Sequence, residues 1–84
     1  MRLADVNVLV AAFRDDAPGH KVCRRLIEEM LDGPLPYGVS DLVLSGFTRV
    51  ATHPRVFDPP TPIEDALAFA EAYRSGAGAV RTAS

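Results

Sequence analysis

Leu3-Ala4-Asp5-Val6-Asn7-Val8-Leu9-Val10-Ala11-Ala12-Phe13 is the stretch whose reading decides the fold. As a β-branched run buried on both faces, it reads as the first strand of a parallel sheet, where helices cover each side and polar alternation disappears. Two polar residues then need an account. Asp5 and Asn7 lie two apart and so point to the same side of such a strand. A carboxylate inside an apolar strand has to be paired, bound to a cation or protonated. Asp5 is therefore the first candidate for chemistry, and a helix cap or an arginine pair is the structural alternative.

The rest of the chain supplies covering helices. After the turn cluster Arg14-Asp15-Asp16-Ala17-Pro18-Gly19, the residues Val22, Leu26, Ile27, Met30 and Leu31 recur at helical spacing, with Lys21, Arg24, Arg25, Glu28 and Glu29 on the other faces. Gly33, Pro34 and Pro36 end this helix. Tyr37-Gly38-Val39 is a short extended piece. Ser40 caps a second helix, with Asp41 in its first turn and Leu42, Val43, Leu44, Phe47 and Val50 as its apolar positions. A proline-broken loop follows. Thr61-Pro62-Ile63-Glu64 has the form of a capping box opening a third helix, with Ala66, Leu67, Ala70 and Tyr73 on one face. The expected class is α/β in the order β-α-β-α-α, a single domain over residues 1–84. Its tail, 77–84, frays unless Ala79 and Val80 begin a strand.

Bulk properties narrow the function. An 84-residue chain supports one small core. Cys23 is the single cysteine, which excludes an internal disulfide and a multi-cysteine zinc site and fits a cytoplasmic protein. The longest apolar stretch, Val8 to Phe13, is far shorter than a membrane span. A net charge of −2 argues against binding nucleic acid through a broad basic surface, but not against a cleft built from carboxylates and a metal ion.

The motif around Asp5 resembles the opening of the PIN domain, in which the first strand ends in a metal-binding Asp. Ser40-Asp41-Leu42-Val43-Leu44-Ser45-Gly46-Phe47-Thr48-Arg49-Val50-Ala51-Thr52-His53-Pro54-Arg55-Val56-Phe57 resembles the second helix and following loop of actinobacterial VapC-type toxins. This resemblance implies a PIN-like parallel sheet between helices and an endoribonuclease that uses Mg²⁺ or Mn²⁺. It also implies the toxin role in a type II toxin-antitoxin system, a cognate VapB-type antitoxin, an RNA substrate and a homodimer. Hard divalent cations prefer oxygen ligands, and a bound ion polarises phosphate and activates water. On this resemblance Asp5 and Asp41 are the catalytic and metal-binding candidates, and Asn7, Arg49 and Arg55 the RNA-binding ones.

Two departures stand against it. The family commonly places a Glu about a turn after Asp41, where this chain has Leu44, Ser45 and Gly46. The family's two later acids have no counterpart before Ser84, and Glu64, Asp65 and Glu71 read as solvated helix faces. The alternative is therefore a shortened, non-catalytic remnant that binds only a partner protein such as an antitoxin. His53 reads as a loop residue, His20 and Cys23 as packing or capping groups, and Asp15 and Asp16 as turn residues. Other Asp-first α/β enzymes fit less well. A haloacid-dehalogenase-type phosphotransferase needs a second Asp where Asn7 stands, and a response-regulator receiver needs an acidic pair before its first loop.

Overall fold

The computed structural model describes residues 2–82. Seven elements follow in order: β1 Arg2–Leu3, α1 Val6–Phe13, α2 His20–Asp32, β2 Tyr37–Val39, α3 Asp41–Ala51, α4 Ile63–Arg74 and β3 Ala79–Arg81. The strands form one parallel sheet in the order β1-β2-β3, with Arg2 opposite Tyr37, Leu3 opposite Gly38, and Val39 opposite Arg81. The α/β class and the parallel sheet are as expected from the sequence, with one more helix and one more strand. No helix among the described residues is long and apolar enough to cross a membrane.

The first correction concerns the opening run. Only Arg2 and Leu3 are strand, and the apolar segment from Val6 onward is helix. Asp5 makes the switch. Its backbone is extended while its Oδ1 accepts a hydrogen bond from the Val8 N–H at 2.9 Å, an N-cap that satisfies one of the helix's unpaired donors. Leu9, Val10, Ala11 and Ala12 are buried, so α1 lies deep enough for its polar face to shrink to almost nothing. Gly46 lets α3 approach it closely. A Cβ there would lie 2.9 Å from a Val6 methyl carbon.

Ser40 caps α3 as expected, accepting from the Val43 N–H at 3.3 Å. Asp41 in the first turn and Arg49 in the last complement the helix dipole. The capping box of α4 does not form. Pro62 is the N-cap, and the Thr61 hydroxyl instead accepts from Arg14 Nη1 at 3.0 Å while the Thr61 N–H donates to the Ala51 carbonyl. Glu64 and Asp65 still place negative charge in the first turn. Three residues assigned to buried helix faces lie outside: Val22, Leu42 and Leu67 are more than half exposed. Of the two expectations for the tail, the strand is the one observed: Ala79–Arg81 pairs along β2, which supplies its partner. Ala83 and Ser84 lie outside the described residues.

Two aromatic groups hold the layers together. Phe13, Phe47 and Phe69 bring α1, α3 and α4 into contact, with ring centroids 5.0–5.7 Å apart. Beneath the sheet, Tyr37 and Tyr73 pack at 5.0 Å and tie strand to helix. The Tyr37 hydroxyl donates to the Tyr73 carbonyl at 2.7 Å, and the Tyr73 hydroxyl donates to the Gly38 carbonyl at 3.1 Å. Gly76 is required here, since a Cβ would collide with the Tyr37 hydroxyl. At the surface, Arg14 clamps the proline loop. Its guanidinium engages both oxygens of Asp16, reaches Thr61 and lies 4.2 Å over the Phe57 ring.

The tyrosine pair gives the fold an alkaline limit. Burial pushes both phenol groups above their ordinary range, because it disfavours the phenolate. A raised folded-state pKa means that the stabilisation is complete below the unfolded value of about 10 and is lost as pH rises through the folded value. Helical signal and tyrosinate absorbance, followed together against pH, are expected to change in one step above pH ~10. Tyrosines ionising near pH ~10 with the helices intact would contradict this account.

Candidate cation site at the sheet edge

All three strands run the same way, so their C-terminal ends deliver residues to one edge. Continuing the register of Leu3 opposite Gly38 brings Asp5 level with Ser40, one residue before Asp41, and Arg81 ends β3 beside them. Helices α1 and α3 both start at this edge. Their first turns present partial positive charge, which favours carboxylates or phosphate there.

Asp5 is exposed, so the argument from a buried acid in a strand does not hold. One oxygen caps α1, and the carboxylate faces solvent with its remaining lone pairs. Asn7 is exposed in the first turn of α1. Two residues apart on a helix are about 200° apart, so Asn7 does not share a direction with Asp5. Asp41 is exposed in the first turn of α3, and its Oδ2 lies 3.4 Å from Arg81 Nη1. That partner is brought here by the pairing of β3 along β2, which a reading of residues 77–84 by themselves does not contain.

Arg49 lies two turns beyond Asp41. Both line an open cleft of about 500 Å³ between α3 and α4, floored by Leu44, Leu67 and Ala70 and flanked by Arg74. Arg55 is exposed in the loop after α3, where its N–H donates to His53 Nδ1 at 3.0 Å. That contact makes His53 a loop-shaping residue, as expected. His20 Nδ1 donates to the Ala11 carbonyl at 2.8 Å, and half-buried Cys23 packs against the core. Asp16 belongs to the Arg14 clamp, which holds its carboxyl below the usual range. Glu71 pairs with Arg74 at 3.5 Å.

Among the described residues, no group of three or more His, Cys, Asp or Glu side chains is close enough together to hold a metal ion. The edge supplies two carboxylates, and the third and fourth acids that the resemblance implies are not among these residues.

Comparison with known proteins finds relatives over most of this chain. The chain is 44% identical over 72 residues to Ribonuclease VapC25 of Mycobacterium tuberculosis, a match covering 86% of this chain and 51% of that protein. Over this span its sequence is similar to the VapC ribonucleases. Two further relatives from M. tuberculosis have the same character. Ribonuclease VapC31 is 43% identical over 72 residues, covering 86% of this chain and 51% of the relative. Ribonuclease VapC43 is 42% identical over 81 residues, covering 96% and 55%. The chain thus spans about half the length of the curated relatives it matches. No protein-family model matches it.

Proposed function

We propose that this VapC-type chain contributes the cation-binding edge of a Mg²⁺-dependent endoribonuclease, the toxin component of a type II toxin-antitoxin system. The observation that carries this reading is the delivery of Asp5 and Asp41 to the ends of adjacent parallel strands, in a chain more than 40% identical to named ribonucleases. The two carboxylates are a partial donor set for the ion. Mg²⁺ keeps several waters and is commonly held by one or two carboxylates together with substrate phosphate. Asp5 retains free lone pairs after capping α1, and Asp41 stands at the next strand end.

Asp5 and Asp41 would hold Mg²⁺, with Mn²⁺ as a substitute. The bound ion would supply a polarised phosphate and a water of lowered pKa. The chain's own residues do the rest. The N-termini of α1 and α3 favour phosphate at the edge, and Arg49 and Arg55 present guanidinium groups along the exit of α3, where they position the RNA backbone. Asn7, turned away from Asp5 in the first turn of α1, offers a neutral donor and acceptor for a ribose or base contact outside the carboxylate edge. A VapB-type antitoxin and a second toxin copy are the expected protein partners, in the cytoplasm.

A second reading has its own observation. With no acidic trio among the described residues, the chain is a non-catalytic module that binds an antitoxin. Incubating the purified chain with a mixed RNA pool separates the two. The nuclease reading expects cleavage with Mg²⁺ that stops with EDTA and in Asp41→Asn. An intact pool beside a folded protein favours the binding module.

A further inference from the structure

Helix α4 carries a stripe that its own fold leaves half uncovered. Ile63, Leu67, Ala70 and Arg74 recur at i, i+4, i+7 and i+11, the spacing of one helix face. Ala70 is buried, but Ile63 and Leu67 are 48% and 53% exposed. The stripe forms one wall of the open cleft of about 500 Å³, and Ser45, Thr48 and Arg49 of α3 line the other. The two helices run antiparallel. The Tyr73 hydroxyl ties the end of α4 to Gly38, just before α3, and the Thr61 N–H ties the start of α4 to Ala51, at the end of α3. Arg74 therefore stands at the sheet end of the groove and Arg49 about two turns away at the loop end. Among the described residues Arg49 has no acidic partner, and Arg74 has only Glu71 of its own helix, at 3.5 Å with both side chains exposed.

We propose that this groove docks an acidic amphipathic helix of a partner protein. Apolar residues of that helix, spaced at i and i+4, cover Ile63 and Leu67, and carboxylates about two turns apart reach Arg49 and Arg74. Among the described residues the lining has no aromatic ring, so it offers single-stranded RNA no stacking platform. A second copy of this chain meets its own charges. Glu64 and Glu71 run along one side of the α4 stripe, and a two-fold pairing of α4 with α4 sets Glu64 of one copy beside Glu71 of the other. This docking role stands apart from the nuclease reading, although Arg49 enters both.

Fluorescence anisotropy of a labelled synthetic peptide, titrated with the 84-residue chain, tests this. The peptide is of about 20 residues, long enough to hold a helix, with leucines at i and i+4 and glutamates two turns apart. A version with lysines in place of the glutamates and an oligouridine RNA are the comparisons. The glutamate peptide is expected to bind about tenfold more tightly than the lysine peptide, by a margin that shrinks at high salt. Leu67→Asp, at a half-exposed position where circular dichroism checks the fold, should weaken binding at least about tenfold. Arg49→Gln and Arg74→Gln should each weaken it about two- to fivefold. Val22→Asp, at an exposed apolar position on α2, should leave it unchanged. Equal affinity for the two peptides, no binding of either, or an equal loss in Val22→Asp would overturn the proposal. So would oligouridine that binds more tightly than the glutamate peptide and is lost in Leu67→Asp, which would make the groove a nucleic-acid path. A dimer in sedimentation that Leu67→Asp separates would also overturn it, by making the groove a contact between copies.

Discussion

Phe47→Ala is expected to unfold the protein at room temperature or leave it close to unfolding. Phe47 is fully buried, and its ring contacts those of Phe13 and Phe69 where α1, α3 and α4 meet. Truncating a buried phenylalanine costs about 3–5 kcal/mol, the sum of lost transfer energy and the cavity left behind. A domain of 84 residues has about 4–13 kcal/mol in all, at about 0.05–0.15 kcal/mol per residue. The loss therefore consumes much of the reserve, and among the described residues the three helices share a single core cluster. Urea unfolding followed by circular dichroism checks it. A midpoint close to that of the wild type would mean that the helices are held mainly through the sheet and the tyrosine pair.

The second large effect separates two roles of one side chain. Asp5→Ala is expected to cost about 1 kcal/mol of stability, because it removes the oxygen that caps α1. Asp5→Asn should cost almost none of that, since asparagine caps a helix as well as aspartate. If the proposed function holds, its effect falls on the cation. Removing a direct carboxylate ligand should weaken Mn²⁺ binding by more than about tenfold, as even outer-shell substitutions cost 10- to 100-fold. A folded Asp5→Asn protein with unchanged Mn²⁺ affinity would reduce Asp5 to a helix cap.

What the sequence could convey depended on how local the deciding interaction was. Ser40 was legible as a cap because an apolar helix pattern starts beside it and its bond runs only to Val43. The opening run was misread as strand although its eleven residues exceed the ordinary strand length of about 5–6, and Ala11-Ala12 favours helix. Its even burial hid the helical period. Asp5 stands out in the sequence for a reason that does not hold in the fold: it caps α1 and is exposed, not buried in a strand. The capping box at Thr61 failed through Arg14, 47 residues earlier in the chain, which claims the threonine hydroxyl. No window around Thr61 contains that arginine. In the same way, Ala79–Arg81 is strand because Tyr37–Val39 lies beside it, and the Asp41–Arg81 pair follows from that pairing. Val22, Leu42 and Leu67 match the helical period yet face outward, since periodicity marks a stripe but not its edges. The sheet edge was therefore legible in its acids and hidden in its arginine.

Mn²⁺ titration observed by NMR tests the central claim most directly, because paramagnetic broadening reports where on the chain the ion sits without needing RNA or turnover. The amides that follow Asp5 and Asp41, at the starts of α1 and α3, are expected to broaden first and together, and both sets should recover in Asp41→Asn. Broadening that begins elsewhere, at the Arg14–Asp16 clamp or around Glu28 and Glu29 on α2, would contradict a cation site at the strand ends and leave the VapC-type resemblance without its chemistry in this chain.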